Sequence, residues 1–321
     1  MDKLRLATLA RGELGYHETE YSIVGEADLQ KHLIICDKNA DHKNFTPIQD
    51  FNIEQLPDGY KDQDIVDYIR SQADLTVRVT TTYISQNRPE GYAFYECRGK
   101  KFLRVGSGFM QYVYRNELRS NKPCPCPECK NSPTPRLEWA KLKIRTATHV
   151  VFDDEEAQNT IVEFFYDDNK GRDKVRYVYG ESVAFGAIKG DWCDIRCVSH
   201  DIDLCEFLKD TWGRWRWLEM KVNQKFNSED DHRLAVVVSH PHGCSKQVSI
   251  GVWRDRDIVD RSRDWENCVY TYDTPTCPGS SGAPVWILGQ MKGAGFFGRH
   301  PHSGRPLVGL NVSAVGWDRK K

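Results

Sequence analysis

No stretch of this sequence is apolar for long enough to cross a bilayer as a helix, and its opening, MDKLRLATLARGELGYHETEY, lacks the apolar centre and small-residue cleavage site of a secretory signal. The expectation is a cytoplasmic chain with no membrane partner. An excess of one charge is also missing: 45 Lys and Arg stand against 46 Asp and Glu, a net charge of −1. Nothing in that balance draws the chain to nucleic acid or anionic lipid. Internal repeats and low-complexity tracts are absent. Cysteine is plentiful, but the total of 11 is odd, and in a reducing compartment such residues act as thiols or metal ligands rather than as a disulfide framework. With 321 residues the chain can bury a core without staples.

Helical periodicity is scarce too. Residues 1–72 are polar and mixed, with a short strand-like run at Leu33–Cys36 and a helical stretch from Asp62 to Ser71 carrying Ile65, Tyr68 and Ile69. They read as a small N-terminal α/β appendage of unknown role. From Leu75 the texture changes to short β-branched and aromatic runs parted by turn residues, first Leu75–Thr80 and Phe102–Phe109, then Lys143–Ala147, Thr160–Tyr166 and Lys174–Phe185. Further runs follow at Ile202–Leu208, Leu234–Ser239, Lys246–Trp253, Ala283–Leu288 and Leu307–Val315. That spacing predicts an all-β sandwich or barrel. The Trp212–Trp217 stretch reads as a bridge between two halves, and Asn121–Pro135, dense in proline and cysteine, must be a loop.

Two short motifs carry chemistry. In Thr276–Val285, TCPGSSGAPV, glycines flank Ser281 just before an apolar strand, so the backbone can turn tightly and the amides of Gly279 and Ser281 can converge on an oxygen that becomes negative during acyl transfer. In Thr146–Phe152, TATHVVF, His149 ends a strand-like run. Serine is a weak nucleophile at neutral pH, and a histidine is the base that activates it. In Cys124–Cys129 three cysteines fall within six residues, a ligand set for a structural zinc if a fourth ligand such as Cys97 completes it.

The TATHVV and PGSSGAPV segments together resemble the histidine and serine motifs of trypsin-like serine peptidases of the PA clan. Val105–Phe109 is similar to the GSGF strand of the intracellular and HtrA-type members, Ser239–Gly243 to their second-barrel hairpin, and Leu307–Gly316 to the strand lining the substrate cleft. The resemblance spans roughly residues 75–318 and implies an all-β, chymotrypsin-like double β-barrel over 73–320, with a first barrel at about 73–210 and a second at about 218–318. It implies a serine endopeptidase acting on protein or peptide substrates, with no required cofactor. The clan's acid lies between histidine and serine and opens a D-I-x-L strand. His200–Leu204 matches that form, so Asp201 is the expected acid, with Asp203 and Asp194 as alternatives.

Departures from the secreted trypsins are informative. Val150 follows the histidine in place of a cysteine, and Ser280 stands where those enzymes carry the aspartate that receives a newly cut N-terminus. Activation by that ion pair is excluded, which leaves constitutive activity or control by a regulatory protein partner, with the N-terminal segment as one route. The specificity pocket is expected at Pro275, Asn311 and Ser313. With no acidic residue there, cleavage after Arg or Lys is disfavoured and a small or apolar side chain is the expectation. The alternative function is an inactive copy of the fold used as a protein-binding module, and a further rival is an ester-cleaving serine hydrolase.

Overall fold

Fifteen strands form two antiparallel sheets, each closed on itself, in a computed structural model that describes residues 17–114, 122–226, 232–290, 300–307 and 309–320. Of the segments read above, residues 1–16, Asn121 and Val308 lie outside the described residues. The first sheet runs β4 (Lys101–Tyr114), β3 (Thr76–Tyr83), β6 (Thr160–Phe164), β7 (Arg176–Ala187), β8 (Trp192–Ser199) and β5 (Ala140–Thr146), and β5 pairs back onto β4. The second runs β11 (Trp265–Tyr272), β14 (Leu310–Ser313), β13 (His300–Leu307), β12 (Pro284–Ile287), β9 (Leu234–Ser239) and β10 (Gln247–Arg261), with β10 closing on β11. Each ring holds six strands, and β15 (Gly316–Arg319) adds to β11 outside the second. This is the chymotrypsin-like double barrel that the motifs imply.

Strand alternation explains the burial. In β3, Val77 and Val79 are fully buried in the main core, while Arg78 on the opposite face is buried by pairing with Glu163 and Glu26. In β9, Leu234, Val236 and Val238 join the core shared with the first barrel, and Ala235 and Val237 fill the second barrel beside Tyr270 and Ile287.

Residues 17–72 do not stand apart as an appendage. β1 (Glu20–Ser22) extends the first sheet along β4, and β2 (Phe45–Pro47) extends the second along β10. Between them α1 (Glu26–Ile34) takes in Leu33 and Ile34, so the strand-like reading of Leu33–Cys36 does not hold. The helix α2 (Gln63–Leu75) sends Ile65, Tyr68 and Ile69 into the main core, as the periodicity predicts.

The barrels are joined by a second departure from expectation. Ile202–Leu208 is not a strand: it opens α3 (Ile202–Lys225), a helix of 24 residues that also contains Trp212–Trp217. Ile202-Asp203-Leu204 alternates over only three residues, and the buried positions Leu204, Leu208, Thr211, Trp215, Leu218 and Val222 recur at the helical period. Each buried Leu or Val of that stripe contributes roughly 1.5–3 kcal/mol. Lys221 and Lys225 pair with Asp64 of α2 and fix the two helices together.

Candidate active site

The serine loop is held by the first barrel through one residue of the GSGF strand. Ser107 donates its amide to the Ser281 carbonyl at 2.7 Å and its hydroxyl to the Gly279 carbonyl at 2.8 Å, while accepting from the His240 amide at 2.9 Å. A side chain on neighbouring Gly106 would meet Val150 and the Ser281 carbonyl within 3 Å, so only glycine permits this approach. Gly279 adopts φ +94°, and a Cβ there would lie 2.6 Å from the His240 carbonyl. Among the described residues the amides of Gly279 and Ser281 donate to nothing, which leaves both available to a developing oxyanion. Ser280 donates no charge to this loop: its hydroxyl lies 3.0 Å from that of Ser239 and accepts from the Cys277 amide.

His149 is fully buried, and its Nδ1 lies 2.9 Å from both carboxylate oxygens of Asp191. Asp191 also accepts from the His149 amide at 3.2 Å and from the Ser303 hydroxyl. Burial pushes its carboxyl up, but the facing imidazoles of His149 and His17 prevail and hold it well below the usual carboxylate range. Burial pushes His149 down to about 4, deepened by His17 and partly offset by Asp191. The imidazole is therefore neutral at pH 7, as a base must be.

The carboxylate beside His149 is thus Asp191 and not the expected Asp201. That residue caps the N-terminus of α3, accepting from the Leu204 amide at 3.1 Å, and pairs with Arg176. The alternatives fail as well: Asp194 is engaged by Arg145 at 2.7 Å and by Lys143, and Asp203 is exposed in the first turn of α3. Asp191 lies in the Lys189-Gly190-Asp191 turn before β8 with φ 51°, a left-handed conformation that Asp tolerates better than most residues. Its sequence signal was the position itself, since Asp191 opens a strand whereas Asp201 opens a helix.

A segment of the chain's own N-terminal region lies across these groups. His17 stacks on His149, with ring centroids 4.3 Å apart, and bridges to Gly304 of β13 in antiparallel sense. The next residue, Glu18, accepts the Ser281 hydroxyl on its backbone carbonyl at 3.1 Å. The His149 ring and the Ser281 hydroxyl therefore face one dipeptide, and Ser281 is bonded to that carbonyl instead of to His149. The Nε2 of His149 has no hydrogen-bond partner among the described residues.

The Glu18 side chain enters the pocket where specificity was expected. It pairs there with Lys38, which also donates to Thr276 Oγ1 at 3.1 Å and Asn311 Oδ1 at 3.2 Å. Asn311 thus lines the pocket. Ser313 instead faces the backbone, accepting from the Tyr270 amide, and Pro275 supplies only its carbonyl, to Ser249. The group placed beside Asn311 is a carboxylate paired with an ammonium, where a small or apolar side chain was expected.

Cys126 and Cys129 meet His200 Nδ1 at 3.5 and 3.6 Å, and with Cys124 the four ligand atoms lie within 4.8 Å of one another. The amides of Cys129 and Arg136 donate to the sulfurs. Cys97 is not the fourth member, being buried with Ile84, Ala93 and Phe94 elsewhere.

No protein-family model and no curated protein matches the chain. It is similar to two solved structures of the Rv3671c protease. The active form, from M. tuberculosis, is 14% identical with a TM-score of 0.41, covering 79% of this chain and 82% of that one. The inactive form gives 14%, 0.40, 79% and 90%. At these scores the likeness assigns no residue of this chain a role.

Proposed function

We propose that the chain is a serine endopeptidase in which Ser281 attacks, His149 accepts and returns the proton, and Asp191 holds the imidazole in the right tautomer. The observation that carries this reading is a peptide carbonyl, that of Glu18, resting on the Ser281 hydroxyl while the preceding residue stacks on the His149 ring. An ester hydrolase has no need of that alignment, and a bare binding module has no need of a base held by a buried carboxylate.

In the reaction Ser281 Oγ bonds to the carbonyl carbon and its proton passes to His149. The C–N bond then breaks as His149 protonates the leaving amine, and water releases the acyl group by the same steps reversed. The amides of Gly279 and Ser281 stabilise the oxyanion, each worth roughly 10²–10³ in rate in comparable sites. Applied to the chain itself, the bond presented is Glu18–Thr19. Purified protein should accumulate a chain beginning at Thr19, read by N-terminal sequencing, and should label at Ser281 with a fluorophosphonate. Ser281→Ala must abolish both. Absence of labelling in protein lacking the segment up to Glu18 would sink the peptidase reading.

The same reading assigns a structural zinc to Cys124, Cys126, Cys129 and His200. The support is the ligand chemistry and separations near 3.5 Å, against about 3.6 Å for the S···N edge of a tetrahedral site. The 11 free thiols suit a reducing, cytoplasmic setting.

A further inference from the structure

A second group of soft ligands lies behind the serine loop, assembled from residues far apart in the chain. Cys36, His42, His242 and Cys277 place one ligand atom each within 4.8 Å of the others. The Cys36 and Cys277 sulfurs are 3.6 Å apart, and Cys277 lies 3.4 Å from His42 Nε2. Tetrahedral zinc with ordinary bond lengths gives S···S and S···N edges of about 3.8 and 3.6 Å.

The surroundings are those of a metal site. His242 turns its Nδ1 to the Glu20 carboxylate at 2.7 Å, and its buried Nε2 has no hydrogen-bond partner among the described residues. A carboxylate on one ring nitrogen fixes the tautomer that offers the other to a metal. Asn39 donates its amide to Cys36 and its side chain to Cys277, at 3.5 and 3.2 Å. Such donors offset thiolate charge.

The three pieces joined are all parts of the cleft. Cys277 and Gly279 share the loop of Ser281, and His242 donates its amide to the Pro278 carbonyl at 2.6 Å. The third piece, Cys36 to His42, contains Lys38, the cation that holds Glu18. We infer that Cys36, His42, His242 and Cys277 bind a zinc ion that pins the 36–42 loop against the serine loop, making Lys38 a fixed wall of a pocket selective for acidic side chains.

The metal part stands by itself, while the selectivity rests on the endopeptidase reading. Lys38 lies on the far side of the Glu18–Thr19 bond from His17, so cleavage there leaves it attached through its neighbours, and the ion holds it in place for other substrates.

The experiment counts metal and reads cleavage separately. Full-length protein with zinc at both clusters should hold two equivalents by mass spectrometry of the acid-released metal. Cys36→Ser and His42→Ala should each hold one, with unchanged far-ultraviolet circular dichroism, and should retain the cobalt spectrum of the Cys124 cluster. Two equivalents in both variants, or none lost relative to wild type, overturns the metal site whether or not the protein cleaves anything. In a peptide library, wild type should prefer Glu before the cut. Lys38→Ala should keep both metals and lose roughly 10–100-fold of that preference. An unchanged preference overturns the pocket assignment. Lack of all labelling by a fluorophosphonate, with the metal count intact, would instead remove the peptidase reading and leave the zinc site standing.

Discussion

The two ends of strand β8 make opposite use of similar chemistry. Its eight residues span roughly 26 Å, with Asp191 before the first and His200 and Asp201 after the last. At the Asp191 end the neighbours are His149, His17 and Ser303, and behind the serine lie two cysteines and two histidines from distant positions. At the Asp201 end three cysteines of one short loop meet His200. The distal cluster packs on Trp139 and Val198. The lesson is that the louder motif in the sequence is the more local one: three cysteines of one short loop need little from the fold to meet, whereas His17, His149, Asp191 and Ser303 are gathered by the fold.

Substitutions at the two ends should diverge most at the acids. Asp191→Asn should lower kcat/KM on a peptide substrate by roughly 10³–10⁴-fold, as loss of an orienting carboxylate does in comparable triads, while Asp201→Asn should leave it within error. Equal losses would erase the distinction drawn here.

The proposed zinc ligands should diverge next. His42→Ala should cost roughly 10–100-fold in kcat/KM because the serine loop loses its brace. Cys126→Ser should leave kcat/KM within about 3-fold and lower the melting temperature by roughly 5–10 °C. A Cys126→Ser protein that melts normally but is inactive would reverse the assignment of the two ends.

A pH series sharpens the cleft end. His149 lies at about 4 when covered, against an ordinary value of 6.5, so it takes up a proton more readily once the covering strand leaves. Closure is most stable above pH 6.5 and weakens as pH falls from 6.5 towards 4. Asp191 stays ionised throughout, Arg88 donates to the His149 carbonyl, and His302, held well below its ordinary value by burial, adds no compensating charge. Hydrogen exchange at residues 19–22, corrected for its intrinsic pH dependence, should therefore accelerate across that window. Constant protection would show that His149 is not what the strand covers. The smallest effect is expected at the distal end, where Asp201→Ala removes a helix cap and should cost about 1 kcal/mol by denaturant titration.

Ser281 and His149 were legible because each lies in a local motif whose glycines and strand residues set its geometry without distant help. The barrels were legible for the same reason, through alternation in segments such as β3 and β9. Asp201 was misplaced because Asp201–Leu204 matches the D-I-x-L form over those four residues only; the adjacent buried pair Leu204 and Cys205, followed by Leu208, already carries the helical period that Trp215, Leu218 and Val222 continue. Nothing local marks Cys36 and His42 as partners of His242 and Cys277, since their proximity depends on β2 joining β10 and on the turn at Pro241–Gly243. Glu18 is equally mute in sequence, its role arising from where β1 delivers it.

The strap formed by β1 and β2 also sets an order of assembly. Glu20 pairs with Val105, but Thr46 pairs with Val248, so on a ribosome residues 17–47 emerge long before their second anchor exists. Closing so distant a contact is slow and comes after the local hairpins. The first barrel can thus condense with His149 and Asp191 in place while Ser281 has yet to be synthesised. When the second barrel forms, the strap draws tight and Glu18 reaches the serine as part of the same event. A newborn chain would then pass from having no complete site to having an occupied one, and at no stage would it carry an open cleft among its unfinished neighbours.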